Sequence, residues 1–329
     1  MAITRHLAEL VLAEHKHRRI SGEVLLLGRQ LVVMTPDEAQ ALVEKVGLPV
    51  RPTAAIDYDK TPHPFGKKLI SDASFFSLFT DADVRACDVS DYEGAEIIFS
   101  LSDEVPAHLL KRFDFIYNGS VLDNVFDPAA CIRNASRMLK PDGSIFNYEG
   151  SAHAAPAYLK FSPDWFFDYY AYNAFADCQT YIVTYGDVHR DPWEVYQFDA
   201  FTADDALTMP MRLPPEAMVV AIAQNAPDAT VDRTPLQNVY RSSAHGPYLE
   251  AHRRYLRSGR REVVRGLFPP APPAPVPVAT AAAAPPRPSL WARLLGQPVE
   301  PVAAAPEPLP SLAAGHTHLG TLGSRDFLL

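Results

Sequence analysis

Three side chains able to take up a proton, Asp123, Glu149 and His153, follow apolar runs that read as strands. In an open α/β sheet the carboxyl ends of the strands are where ligands bind. Each is therefore a candidate base for an acceptor that must lose a proton before or during attack. Asp123 and His153 are the catalytic candidates, and a solvated or capping role is the competing reading for both. A fourth feature is Gly28-Arg29-Gln30, at the end of the run Val24 to Leu27. Arg29 either grips a ligand carboxylate in the bidentate geometry that lysine does not reproduce, or makes a salt bridge across the sheet end. No spacing of His, Asp or Glu suggests a metal site. Cys87, Cys131 and Cys178 are too few and too far apart for a zinc site or a disulfide framework, and they read as small buried hydrophobes.

The elements that must hold these residues alternate between strand-like and helix-like up to about Leu267, the pattern of parallel βαβ architecture. Val24 to Gly28 is an all-apolar run, as expected of a strand buried on both faces. Thr35, Pro36 and Glu38 supply an N-cap, a first-turn proline and a capping-box acid for the next helix. Asp72 can cap a short helix. Further strands are expected at Val84 to Asp88, Glu96 to Leu101, Phe113 to Asn118, Ser144 to Tyr148 and Thr180 to Tyr185, with Met218 to Ala223 closing the sheet. Asp127-Pro128 opens an amphipathic helix, and Lys140-Pro141-Asp142-Gly143 makes a turn in which the glycine takes the positive φ. The aromatic helix after Ser162-Pro163-Asp164 reads as core more readily than as a substrate cage.

Composition narrows the function classes. The chain has 329 residues, 47% of them apolar, and a net charge of −9. That charge argues against nucleic-acid binding, which needs concentrated Lys and Arg to displace counterions. No apolar run approaches the ~20 residues of a membrane span, and charged side chains interrupt the N-terminal segment where a signal peptide would need its apolar region. A cytoplasmic location is the expectation. Of 31 prolines, 14 fall between Pro269 and Pro310, a composition that favours an extended or disordered linker. The expected organisation is an N-terminal helical segment (1–20), a main domain (21–267) with an insertion at 48–80, and a Pro/Ala-rich tail (268–329). Within the tail, residues 289–296 read as a short amphipathic segment that fluctuates in water, with docking or weak membrane contact as the competing reading and the tail as the route to a protein partner.

The stretch from Phe113 to Phe146 closely resembles the region after the fourth strand of class I S-adenosylmethionine-dependent methyltransferases, of the type 11 kind. The residues that carry the likeness are Leu122-Asp123-Asn124-Val125 and Leu139-Lys140-Pro141-Asp142-Gly143. A second match runs from Val84 to Pro106. Together with Gly28-Arg29-Gln30, Asp72 to Phe76 and Asp88 to Ala95, the pattern is similar to a bacterial subgroup with a degenerate glycine-rich motif. The resemblance implies a doubly wound, mostly parallel, seven-stranded Rossmann-like sheet and S-adenosylmethionine as cofactor. It implies that Asp88 accepts the ribose hydroxyls, that Leu101 and Ser102 flank the adenine, and that Gly28, Arg29, Val89, Asn118 and Gly119 complete the cofactor site. It also makes Asp123 the better placed of the catalytic candidates. Only the first glycine of the family's Gly-x-Gly-x-Gly turn is present, and Asp88 lies 60 residues beyond Gly28, against the usual spacing of about 20.

Three readings follow. The first is a methyltransferase acting on a small-molecule or glycan acceptor. The second is a methyltransferase-like module that has lost turnover and binds or regulates. The third is a nicotinamide-dependent dehydrogenase, which suffers more from the missing glycines and leaves the Leu122 to Gly143 match unexplained.

Overall fold

A computed structural model describes residues 2–60, 65–152, 157–201, 216–237, 245–268 and 316–322. In chain order the elements are β1 (Ala2–Ile3), α1 (Arg5–His17), β2 (Glu23–Leu27), β3 (Leu31–Val32), α2 (Pro36–Lys45), α3 (Asp72–Ser77), β4 (Asp83–Asp88), β5 (Ile97–Ile98) and β6 (Phe113–Gly119). After these come α4 (Pro128–Met138), β7 (Leu139–Ala152), α5 (Pro163–Tyr172), β8 (Asp177–Thr184), β9 (Trp193–Phe198), β10 (Ala217–Gln224), α6 (His245–Tyr255), α7 (Arg260–Arg265) and β11 (His316–Leu322). Helix starts follow local chemistry. In α2 the Thr35 hydroxyl accepts from Glu38 N at 3.3 Å while Glu38 accepts from Thr35 N at 2.8 Å, a complete capping box. Asp127 caps α4 by accepting from Ala130 N at 3.0 Å. Ser71, not Asp72, caps α3, and that leaves the Asp72 carboxylate for another use.

The doubly wound α/β fold is present, but the main sheet has nine strands among the described residues, in the order β11-β9-β8-β10-β7-β6-β2-β4-β5. Its two halves differ. The pairings β5–β4, β4–β2, β2–β6 and β6–β7 are parallel, whereas β7–β10, β10–β8, β8–β9 and β9–β11 are antiparallel. The expectation of a mostly parallel, seven-stranded sheet missed β9 and β11, and half of the strand pairings in the main sheet are antiparallel. Met218 to Ala223 does not close the sheet either: β10 lies inside it, between β7 and β8. Of the tail, His316 to Leu322 forms β11, and the amphipathic segment 289–296 lies outside the described residues.

Alternation along β2 explains why its run is wholly apolar. Val24 and Leu26 face a core shared with α1 and α2, while Leu25 and Leu27 face a second core under α4, α5 and α6. All four are fully buried, each contributing roughly 1.5–3 kcal/mol of burial. The aromatic helix α5 is core, as expected: Phe166, Phe167, Tyr169 and Tyr170 are buried. In the turn within β7 the positive φ falls on Asp142 (66°) and not on Gly143. Glycine is needed at 143 for room, because a Cβ there would lie 3.0 Å from Leu139 Cγ and 3.1 Å from the Asp114 carbonyl oxygen. The three cysteines are buried free thiols. No helix among the described residues is long and apolar enough to cross a membrane.

Candidate active site

From β2 the sheet extends to β4 on one side and to β6 on the other, so the order of the parallel strands reverses there. That reversal is where an open α/β sheet forms its ligand crevice. Gly28 turns the chain out of β2 with φ +71°, its N–H bonded to the Cys87 carbonyl at 2.8 Å. A cleft of about 400 Å³ opens beside it, over the carboxyl ends of β4 and β5. Its walls are Gly28, Asp88-Val89, the strip Phe99 to Ser102, and the turn that carries Val121, Asn124, Val125 and Phe126. Five residues expected from the sequence, Gly28, Asp88, Val89, Leu101 and Ser102, line this one cleft.

Local contacts hold the walls. One Asp88 oxygen accepts from Val89 N at 2.6 Å. Asn134, buried on α4, donates to the Leu101 and Asp103 carbonyls at 2.8 and 2.6 Å and fixes the strip between them. The Ser102 hydroxyl lies 3.7 Å from the Cys131 sulfur, and burial pushes the Cys131 thiol up to about 11.

The other expected residues stand behind the walls. Asp123 is 1% exposed and does not reach the cleft. It accepts from Ser120 Oγ at 2.7 Å, Asn124 Nδ2 at 2.7 Å and Gly150 N at 3.2 Å, and so folds the turn after β6. Beneath it Glu149 is fully buried, accepting from Asn118 Nδ2 (2.7 Å), Leu122 N (3.0 Å) and Asp123 N (3.0 Å). Burial first, and then the charge of Asp123, drives the Glu149 carboxyl well above the usual carboxylate range. Asn118 is equally buried and joins Glu149 to Asn147. All three are interior scaffolding and not groups facing an acceptor. His153 lies outside the described residues.

Arg29 takes the structural one of its two readings. It donates to Asp72 at 3.1 Å and to the Gly94 carbonyl at 3.1 Å, and it pairs with Glu96. Asp72, left free of capping, also accepts the Gln30 N–H at 2.9 Å. Gln30 is 1% exposed and folds back, its amide donating to the Leu27 and Gly28 carbonyls at 3.1 and 3.2 Å. Gly119 is the surface it packs on: a Cβ there would collide with Gln30 Oε1 and stand 2.8 Å from Tyr117 Cε1. Only the adjacency of Gln30 to Gly28 pointed to it in the sequence, and nothing local signals its contact with Gly119.

At the mouth, Phe126 is 91% and Tyr158 70% exposed, their rings edge to face at 6.1 Å. The Asp123 carbonyl accepts from Tyr158 N at 2.8 Å, so the turn that walls the cleft also holds this ring pair.

Residues 104–147, which run from the Ser102 strip through β6 and α4 into β7, match the family model for a methyltransferase domain. The methyltransferase-domain match is confined to that segment, and the parallel half of the sheet with the antiparallel β10 inserted beside β7 is Rossmann-like; S-adenosylmethionine is the cofactor that a methyltransferase domain implies. No curated protein matches the chain. Among solved structures the methyltransferase domain is similar to an S-adenosylmethionine-dependent methyltransferase, possible histamine N-methyltransferase, from Thermotoga maritima (15% identity, 67% of this chain and 89% of that one, TM-score 0.33). It is also similar to the 1,6-didemethyltoxoflavin-N1-methyltransferase of Burkholderia thailandensis (11%, 67% and 79%, 0.25) and to a methyltransferase of Archaeoglobus fulgidus (9%, 66% and 94%, 0.35). At these scores they add nothing to the strand order itself.

Proposed function

We propose that the domain transfers a methyl group from S-adenosylmethionine to a small-molecule or glycan acceptor, with the nucleoside end of the cofactor in the 400 Å³ cleft. The observation that carries this reading is the convergence of Gly28, Asp88, Val89, Leu101 and Ser102, distant in sequence, on that single cleft. The nucleoside end suits it. Asp88 offers a carboxylate to the ribose diol, and bonds to an ionised acceptor are roughly twice as strong as neutral ones. Phe99 and Leu101 give an apolar slot for the adenine, with the Ser102 hydroxyl at its edge.

When bound, the cofactor supplies an electrophilic methyl for an in-line displacement. The chain's own residues then act mainly by positioning the partners, the effect that dominates such transfers. The exposed Phe126 and Tyr158 rings at the mouth, set edge to face, offer an apolar ring face to the acceptor, suited to packing a planar or sugar ring. Asp123 and Glu149 are engaged in the turn below and are not the base. Of the two catalytic candidates, His153 is the one this reading keeps.

Isothermal titration of S-adenosylmethionine into the wild type and Asp88→Ala tests the reading. Two charge-assisted bonds at ~1.5–3 kcal/mol each predict at least a ~100-fold loss of affinity in the variant. No heat with the wild type at millimolar cofactor contradicts the reading. A second reading, a binding module without turnover, is favoured by one observation: Arg29 and Gln30 are committed to internal contacts. Cofactor binding without formation of S-adenosylhomocysteine across a panel of acceptors would select it.

A further inference from the structure

The cleft runs from the carboxyl ends of β4 and β5, past Gly28, to the turn after β6, and beside it lies the strand-order reversal between β2 and β6. There the space between the strand ends is filled by one side chain. Gln30 lies buried between the carboxyl ends of β2 and β6, held by the Leu27 and Gly28 carbonyls on one side and pressed on Gly119 on the other. Its backbone is fixed as well, through the bond from Gln30 N to Asp72, itself buried and tied to Arg29. Gly119 has an ordinary φ, since it is absent from the positive-φ glycines. Its missing Cβ makes room for Gln30 and does not serve a turn.

Charge points the same way. The residues lining the cleft include the acid Asp88 and no lysine or arginine. Arg29, the cation adjacent to Gly28 in the chain, is turned to Asp72, Glu96 and the Gly94 carbonyl. An amino-acid carboxylate entering here meets a filled crevice and no cation among the described lining residues. A neutral nucleoside meets a carboxylate for its diol and an apolar slot for its base.

We propose that Gln30 is a specificity-determining plug: it closes the amino-acid end of the site, so that the cleft takes its affinity from the nucleoside and accepts 5′-thioadenosines lacking the amino-acid group about as well as the full cofactor. This rests on the cleft being the adenosine site. The space-filling part of Gln30, and not its amide bonds, is what denies the amino-acid group any contact in the crevice.

The test is titration of 5′-methylthioadenosine and S-adenosylhomocysteine into the wild type, Gln30→Ala, Gln30→Met and Asp88→Ala, each first checked by thermal melting. The expected wild-type dissociation constants agree within about threefold, since no differential contact is made with the amino-acid end. Gln30→Ala then tightens S-adenosylhomocysteine at least ~10-fold relative to the thioadenosine, the ~1.4 kcal/mol expected for one new charge-assisted contact. Gln30→Met fills the same space and keeps the wild-type ratio. A wild type that prefers S-adenosylhomocysteine by ~100-fold or more overturns the plug, as does a Gln30→Ala variant that shifts both ligands equally. Either result leaves the adenosine reading standing if Asp88→Ala weakens both ligands. Absence of binding by both ligands to the wild type removes the adenosine reading and the plug with it. If Gln30→Ala does not fold, Gly119→Ala, whose Cβ displaces the same side chain, must shift the preference toward S-adenosylhomocysteine, and an unchanged ratio overturns the plug.

Discussion

The parallel half of the sheet, β5 to β7, and the antiparallel half, β10 to β11, use their buried polar groups in opposite ways. In the parallel half these groups lie at the strand ends around a cleft: Asp88 faces into it, while Asp123, Glu149 and Asn118 hold the turn that forms its wall. In the antiparallel half they tie distant parts of the chain together. Arg260 on α7 is fully buried, with Nε 2.7 Å from Glu14 on α1, and it pairs also with Asp177 at the start of β8. Arg261 reaches Asp199 at 2.6 Å. Trp193 of β9 stacks between His6 of α1 and Tyr148 of β7, at 5.2 and 5.8 Å. One half therefore shapes the cleft proposed for the cofactor, and the other closes the fold around chain segments far apart in sequence.

The largest effect that would sharpen this division is on stability. Arg260→Ala leaves Glu14 and Asp177 buried without their cation, and breaking such a cluster costs about 3–5 kcal/mol. Urea unfolding should show that loss, while the nucleoside affinity of the protein that remains folded stays at its wild-type value. A comparable drop in affinity would mean that the halves are not separable.

Next in size is a pH effect in the antiparallel half. Burial lowers His6 from 6.5 to about 4. A group depressed in the folded state contributes stability above its unfolded pKa and loses it as pH falls through the folded value. Between pH 6.5 and 4 the wild type should therefore lose up to about 3 kcal/mol through this residue, at roughly 1.4 kcal/mol per unit. His6→Phe keeps a ring against Trp193 and should flatten that slope in chemical unfolding at several pH values. An unchanged slope would place the sensitivity elsewhere.

The two halves also differed in how far the sequence disclosed them. β2, β4, β6, α2 and α4 carry local signals: apolar runs, a capping box, an Asp-Pro start. Gly28, Asp88, Leu101 and Ser102 lie at the ends of such runs, so their convergence could be anticipated one by one. The Arg260–Glu14 pair spans 246 residues, and Arg260–Asp177 spans 83; neither leaves a local trace. β9 and β11 depend on pairing across a long proline-rich stretch, and β10 took an interior place that no periodicity specifies. Asp123 misled because a loop acid after a strand reads alike whether it faces solvent or turns inward to accept three bonds. Gln30 was visible in the degenerate loop, but where its side chain packs was not, since that depends on a glycine 89 positions away in the chain.

In the parallel half, Glu149→Gln gives an effect of opposite sign to that of His6. A carboxyl raised in the folded state stabilises below its unfolded pKa, and that contribution is lost as pH rises through the folded value. The stability of the variant relative to wild type should therefore improve as pH rises from 5 to 8. The smallest effect belongs to Phe126→Ala. An exposed ring away from the core changes stability by less than about 0.5 kcal/mol, so the expected outcome is an unchanged melting temperature with a raised KM for the acceptor.

A crystal structure with S-adenosylhomocysteine tests the central claim most directly. The account predicts both ribose hydroxyls on the Asp88 carboxylate at ~2.5–2.7 Å, with the adenine between Leu101 and the Val121 to Phe126 turn. Nucleoside density that leaves Asp88 untouched, or that occupies another part of the molecule, would contradict it.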